Sequence, residues 1–349
     1  MNLSIRLRGK GDGKKRTEDI IIEAFRQASG APDVRAEFAR HPLLSSLNPD
    51  LLLGKLSRKR VGRLIETGIL SADFELVADA IFPRGRELDI SLPLAILLSE
   101  LDLFPPEPNS ENPVETLYED DSYLAVLKPC GVPSAPLRSS DVDSVVQRVL
   151  ATHPSLPILR ENPLEPGLVH RLDTGTSGVL LFAKTVGAFT RVDQAWNTGS
   201  VKKIYRALTS LDPKSHLRMG KVELALGHDL KSKRRMRVVS NPGDLKKIRG
   251  EPNRAVSEVL TIRRIPSFLG APVNDVEIRI ETGVHHQIRA TLAHFSAPIL
   301  GDSVYGGASE ERVWLHAWKL FLPASQEGKL LEIVAPLPSS WPRGMSDQT

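Results

Sequence analysis

Apolar residues first fall into helical spacing at Ile20, Ile21, Ala24 and Phe25, which share one face of a helix. A second helix is expected from about Arg58 to Thr67, with Val61, Leu64 and Ile65 on one face. Gly68 then stands where a left-handed cap would close that helix. Short strand-like pieces follow at Ile69-Leu70 and over Leu88-Asp89-Ile90-Ser91-Leu92. Further along, Tyr123 to Lys128 reads as a strand, and Val142, Val145, Val146, Val149 and Leu150 mark a helical face. Gly178 to Lys184 is a buried apolar strand, and Phe189, Val192 and Trp196 give a helix ended by Gly199. Tyr205 to Thr209 and Val276 to Ile280 alternate as strands, and Ile288, Leu292 and Phe295 mark a further helix. Strands and helices mix without a regular βαβ rhythm, so the pattern predicts an α+β fold rather than a doubly wound one. No internal repeat is visible.

The pattern also divides the chain. Residues 1–18 are polar, glycine-rich and basic, and are expected to be a disordered tail. Residues 19–100 read as a small α+β unit. Phe104 to Pro113 holds four prolines in ten residues, so an exposed linker is expected over 101–114. Residues 115–343 form the larger unit, with 344–349 as a short tail.

Composition narrows the class. With 41% hydrophobic and 25% charged residues, the chain can build a core. Its apolar runs, such as Ala95 to Leu98 and Val179 to Ala183, fall far short of the ~18 residues that span a bilayer. No apolar segment follows the charges at the N-terminus, so a cytoplasmic protein is expected. Cys130 stands alone, which excludes an intrachain disulfide and a thiolate metal cage, and it is expected to pack as a small buried hydrophobe.

The net charge of +4 matters less than its placement. Arg6, Arg8, Lys10, Lys14, Lys15 and Arg16 stand against Asp12, and Lys231, Lys233, Arg234, Arg235, Arg237, Lys246, Lys247 and Arg249 against Asp244. Such blocks are either solvated loops or phosphate-neutralising surfaces. Gly9 to Lys14 suggests a phosphate loop but lacks the preceding apolar strand and the full spacing.

Three clusters could carry chemistry. The first is His170-Arg171-Leu172-Asp173-Thr174-Gly175-Thr176-Ser177-Gly178, a polar loop entering a buried strand. Asp173 there could act as nucleophile, as general base or as a loop cap. The second is Thr282-Gly283-Val284-His285-His286-Gln287-Ile288-Arg289, a turn leading into a helix. A half-buried Arg289 needs an acidic partner, and Asp173 is one candidate. Adjacent histidines on a helix point about 100° apart and no cysteine or paired carboxylate completes a set, so no metal is expected. The third is Lys202 to Leu208, where a strand puts Lys203, Tyr205 and Ala207 on one face. Tyr205 could stack on a base or pack in the core.

Taken together, these motifs resemble the RluA family of RNA pseudouridine synthases. The family pattern K-P-x-G-x-x-x-x-P is matched by Lys128 to Pro136, and H-R-L-D-x-x-T-S-G by His170 to Gly178. Lys203, Tyr205 and Ala207 match K-x-Y-x-A, and His286 to Arg289 match H-Q-I-R. Pro298 to Gly306 match P-I-L-G-D-x-x-Y-G, and Leu315-His316-Ala317 match L-H-A. Residues 56–92 also resemble a degenerate alpha-L, S-four-like RNA-binding module, in which Ala72-Asp73-Phe74 replace the usual glycine-centred turn. One departure is Val284, where the family often has arginine.

The resemblance implies a catalytic domain on a mixed, largely antiparallel sheet with flanking helices. It implies isomerisation of uridine to pseudouridine in ribosomal or transfer RNA, with no cofactor. Asp173 would be the catalytic aspartate, Tyr205 would stack on the uracil and assist proton removal, and Arg289 would pair with Asp173. Leu315 would line the uracil pocket, and Arg171, Lys203, Lys233 and Arg234 would bind substrate. A monomer is expected. Two other readings fit parts of the sequence. A non-catalytic RNA-binding factor in ribosome assembly would need the basic surface but not Asp173. A glycoside hydrolase would need a second acid about 5–10 Å away, and none stands out.

Overall fold

The computed structural model describes residues 4–40, 56–70, 72, 75–93, 106–138, 140–160, 162–323 and 330–342. The chain divides into two compact units, Met1–Glu111 with Ala135–Gly167, and Asn112–Ser134 with Leu168–Thr349.

In the first unit, β1 (Ser4–Lys10) pairs antiparallel with β2 (Glu87–Pro93). This corrects the expectation of a disordered tail. Leu7 is buried while Arg6, Arg8 and Lys10 stay outside, so the segment alternates with period two beneath its charge. Acids meet those charges, with Arg6 2.6 Å and Arg8 3.8 Å from Asp89, and Lys10 3.9 Å from Glu87. Helices α1 (Thr17–Ser29), α2 (Pro32–Arg40) and α3 (Arg58–Glu66) belong to the same unit. Ile20, Ile21 and Phe25 meet Val61, Leu64, Phe82 and Leu88 in its core.

The second expected helix is α3. Ser57 caps it by accepting from the Arg60 N–H, and Gly68 turns left-handed at φ 73°. Ile69-Leu70 is not a strand: Leu70 N–H bonds Leu64 O at 2.9 Å, so the pair closes the helix end. Helix α4 (Val145–Leu150) starts later than expected because Ser144 caps it, leaving Val142 exposed. The proline-rich segment belongs to this unit up to Glu111, and Asn109 bonds Val142 O and Gln147 O. The stretch 135–167, expected in the larger unit, groups here too. Residues 41–55, 73–74, 94–105 and 343–349, which include Ala95 to Leu98, part of the expected turn and the C-terminal tail, lie outside the described residues.

The second unit is built on one sheet. Its strands are β3 (Thr116–Glu119), β4 (Tyr123–Lys128), β5 (Ser177–Ala183), β6 (Lys202–Ser210) and β7 (Gly220–Asp229). They continue with β8 (Met236–Val238), β9 (Ile248–Phe268), β10 (Ala271–Ile280), β11 (Leu315–Pro323) and β12 (Leu330–Val334). The order is β3-β4-β5-β11-β6-β10-β9-β7-β8, with β12 on β11. Among these pairings β5 and β11 run parallel and the others antiparallel, so the sheet is mixed and largely antiparallel.

Every residue of β5 is buried, as its continuous apolar run predicts. The parallel junction depends on Gly178: at φ 120°, an added Cβ would lie 2.2 Å from Ala317 O. Helices α5 (Val186–Asn197), α6 (Pro242–Leu245) and α7 (Gln287–His294) complete the unit. Gly199, at φ 72°, follows the end of α5 as expected.

Candidate active site

Asp173 sits in the loop that enters β5, and its side chain keeps 25% of its exposure. The loop is held from beneath by the strand next door. Lys128, at the end of β4, is fully buried, and its Nζ donates to Pro129 O at 3.0 Å, Thr174 O at 3.1 Å and Thr176 O at 2.7 Å. Burial pushes its pKa down to about 8. Ser134 Oγ donates to Leu172 O at 2.8 Å and accepts from the Leu172 N–H at 3.0 Å. Cys130 is only partly buried, not the buried hydrophobe expected, and its Sγ donates to Gly175 O at 3.1 Å. The segment 128–134 thus acts as a brace for the loop that carries Asp173.

Arg289 on α7 reaches Asp173 as expected, with Nη1 3.0 Å from Oδ2. Its firmer partner is Asp302, whose side chain is fully buried and takes Nε at 2.6 Å and Nη2 at 2.8 Å. Burial works against the charge on Arg289, but Asp302 and then Asp173 outweigh it and hold its pKa above the ordinary value. Ala290 packs α7 against Leu226, Met236 and Ala255, which aims the guanidinium.

His286 stands just before α7 in the left-handed region, at φ 54°. Its Nε2 lies 2.6 Å from Arg289 Nη1 and 3.5 Å from Asp173 Oδ2, and its Nδ1 lies 3.2 Å from Tyr305 Oη. Arg289 can only donate, so Nε2 accepts and the proton sits on Nδ1. Burial and the neighbouring guanidinium push His286 down to about 4 against the pull of Asp173. The Tyr305 ring lies under Arg289, with its centroid 5.4 Å from Cζ, and its Oη accepts from the Met236 N–H at 2.8 Å. Gln287 ties the preceding turn together: Oε1 accepts from Thr282 Oγ1 and Val284 N–H, and Nε2 donates to Val256 O and Ser257 Oγ.

The two histidines are not both on the helix, so the expected 100° divergence does not apply. Their rings stack at 3.9 Å. Asp173, His285 and His286 offer ligand atoms within 4.8 Å of one another, the spacing a metal ion would need. Arg289 Nη1, however, hydrogen-bonds both Asp173 and His286 and puts a positive charge where the ion would sit. These residues fit a metal poorly. His294 is at the other end of α7, against Phe295.

Tyr205 on β6 is 7% exposed, and burial, then the charge of Asp173, push its pKa up. Leu315, at the start of β11, pairs with Ala207, and Tyr205 pairs with Ala317, so Leu315 lies diagonal to Tyr205 on one face. Arg171 is exposed on the loop of Asp173.

Lys203, on the same strand as Tyr205, is buried, with its ammonium 4.5 Å from the Trp196 ring centroid, and burial pushes its pKa down to about 8. Lys233 and Arg234 are exposed between β7 and β8. In that basic stretch Arg237 pairs with Asp229, Lys247 with Asp244, and Arg249 donates to Asp229 O. Arg235 is the cation of this stretch that lies over the Tyr305 ring, at 5.6 Å.

Sequence reasoning placed no role on Asp302, Tyr305, His286 or Lys128. All four stand in quoted motifs, but their partners are distant in sequence. The requirement that a buried Arg289 find an acid is the signal that could have led to Asp302; the sequence reading applied it to Asp173 instead.

A family model described as RNA pseudouridylate synthase matches residues 122–294. An "Uncharacterized RNA pseudouridine synthase" of Chloroflexus aurantiacus is 31% identical over 91% of this chain and 92% of its own. A "Ribosomal large subunit pseudouridine synthase D" of Neisseria meningitidis is 30% identical over 67% of this chain and 60% of its own. Among solved structures, Human RNA Pseudouridylate Synthase Domain Containing 1 superposes with a TM-score of 0.51 at 23% identity, over 66% of this chain and 86% of that one, a likeness of fold. Among the described residues no helix is long and apolar enough to cross a membrane.

Proposed function

The chain belongs to the RNA pseudouridine synthase family, as its RluA-type motifs imply, and on that premise we propose that it isomerises uridines of ribosomal RNA with Asp173 as the catalytic carboxylate. The reaction breaks the N1–C1′ bond, turns the uracil, joins C5 to C1′, releases the C5 proton to solvent and leaves N1 to take up a proton in its place. One group must start it, by attack at C1′ or by removal of the 2′ proton, and both routes need a carboxylate oxygen beside the ribose. The carrying observation is the asymmetry of Asp173. Arg289 engages Oδ2 at 3.0 Å, while no described donor bonds Oδ1, so one oxygen is oriented and the other is available.

The other roles follow from environment. Extracting the uridine from its stack costs a few kcal/mol. Stacking on Tyr205 returns roughly 1–3 kcal/mol. With its pKa pushed up, Tyr205 stays a neutral phenol, which suits stacking better than proton removal. Leu315 offers the apolar wall beside it. Arg171, Lys233 and Arg234, all exposed, can neutralise phosphates. The relatives named for the large ribosomal subunit support ribosomal RNA as substrate. An RNA-binding role for the first unit is supported by Lys59, Arg60 and Arg63, exposed along α3.

The test is tritium release from RNA labelled at C5 of uridine, offering ribosomal and transfer RNA separately. We expect release from ribosomal RNA by the wild type and none by Asp173→Ala. Release that survives Asp173→Ala would refute the assignment of the carboxylate, and release from transfer RNA alone would refute the substrate.

A further inference from the structure

Among the described residues Arg312 has no counter-charge. It is half-buried, and no described carboxylate makes a salt bridge or a hydrogen bond with it. Its Nη2 donates to Ser177 Oγ at 2.7 Å and its Nε to Val313 O at 3.4 Å. Its guanidinium lies 5.2 Å from the buried Trp314 ring. The buried arginines Arg206 and Arg289 each grip a buried aspartate through two nitrogens, so the fold supplies a counter-charge to these two cations. At Arg312 it supplies none, and a cation held partly out of water without a counter-charge is costly.

The side chain is nevertheless oriented. Ser177 Oγ lies 2.8 Å from His316 Nδ1, and His316 Nε2 lies 3.4 Å from Ala335 O. One assignment of protons satisfies all three contacts. Arg312 donates to Ser177, Ser177 donates to His316 Nδ1, and Nε2–H of His316 donates to the carbonyl. Burial keeps His316 neutral, as this relay requires, by pushing it down to about 4. The relay leaves Nη1 without an acceptor among the described residues.

The fold also fixes where this cation stands. β5 and β11 are parallel and both start at one end of the sheet. The loop of Asp173 precedes β5, and Arg312 precedes β11. Ser177, which Arg312 grips, closes the loop that Asp173 opens. An added Cβ on Gly301 would lie 1.8 Å from Arg312 O, so the Arg312 backbone abuts the residue before Asp302, the anchor of Arg289. Lys128 feels the charges of both Asp173 and Arg312.

We propose that Arg312 is a phosphate-binding residue, holding a backbone phosphate of the RNA whose uridine reaches Asp173. The planar guanidinium suits a phosphodiester, which would supply the missing counter-charge and accept from Nη1. The proposal rests on the reading of this site as the RNA-modifying one.

The test separates binding from chemistry. In an Asp173→Asn background, binding of ribosomal RNA is measured across a salt series with and without Arg312→Gln or Arg312→Lys. We expect Arg312→Gln to weaken binding about tenfold and to lower the log–log salt slope by about one, with Arg312→Lys keeping the slope. An unchanged slope and affinity for Arg312→Gln would overturn the proposal. A second measurement needs no substitution. Phenylglyoxal should modify Arg312 in the free wild-type protein and be blocked by ribosomal RNA, as read by mass spectrometry. Equal modification with and without RNA would also overturn it. Protection of Arg312 in a protein that releases no tritium would locate the failure in the reading of Asp173 instead.

Discussion

Arg289 is held by two carboxylates that differ in burial and in what they leave free. Asp302 is fully buried and spends both oxygens on the guanidinium, whereas Asp173 is partly exposed and spends one. The buried acid anchors the arginine, and the anchored arginine orients the exposed acid. Removing one partner of a buried pair typically costs ~3–5 kcal/mol because the other charge is stranded. Asp302→Asn keeps the shape and removes the charge. It should lower the melting temperature and reduce kcat roughly tenfold or more by loosening the Arg289–Asp173 geometry, with RNA affinity little changed. Calorimetry, tritium release and filter binding report the three quantities. An unchanged kcat would show that Asp173 is oriented without this anchor.

At the scale of elements, the site depends on where strands meet. β5 delivers the Asp173 loop and β11 delivers Leu315, and their parallel pairing runs through His316–Ser177 and Ala317–Gly178. A side chain at Gly178 would enter the backbone of the neighbouring strand, since its Cβ would lie 2.2 Å from Ala317 O and 2.6 Å from Ala317 N. Gly178→Ala should therefore destabilise by more than ~4 kcal/mol, in the range reserved for severe lesions. Gly68, at the end of α3, is also left-handed, but a Cβ there meets nothing within 4 Å. Gly68→Ala should cost only ~1 kcal/mol, the penalty of the backbone conformation itself. Urea midpoints of the two variants measure the contrast, and equal losses would show that the strand junction can give way.

For the whole molecule, buried histidines set an acid limit. His286 and His316 are both pushed from 6.5 down to about 4, chiefly by burial. The unfolded chain therefore binds more protons than the folded one between those values, and stability falls as pH drops through that window. His316, with no exposure, should account for about 3 kcal/mol of the loss. Urea unfolding at pH 7, 5.5 and 4.5 should show the decline, and His316→Asn should flatten it. A wild-type curve that is level over this range would contradict the burial of neutral imidazoles. The same imidazoles contact the two arginines, His286 directly at Arg289 and His316 through Ser177 at Arg312, so acid should disturb the positions of both guanidiniums as it weakens the fold.

The amino-acid sequence determined the local elements and the chemistry on offer. Periodicity placed α3, β5 and α5, because 3.6- and two-residue repeats are properties of neighbouring residues. The motifs single out Asp173, Tyr205 and Arg289 as site candidates. β1 was hidden because its alternation is overlaid by cations whose partners, Asp89 and Glu87, lie far along the chain. The burial of Lys203 is not legible in sequence either, because it depends on Trp196, which packs its ring against the ammonium from another element. Only the tertiary structure decided that Asp302 anchors Arg289, that Lys128 braces the loop of Asp173, and that Arg312 faces no acid among the described residues. Those facts depend on distances between residues remote in sequence, and on which charges share a low-dielectric space, and neither is encoded in local pattern.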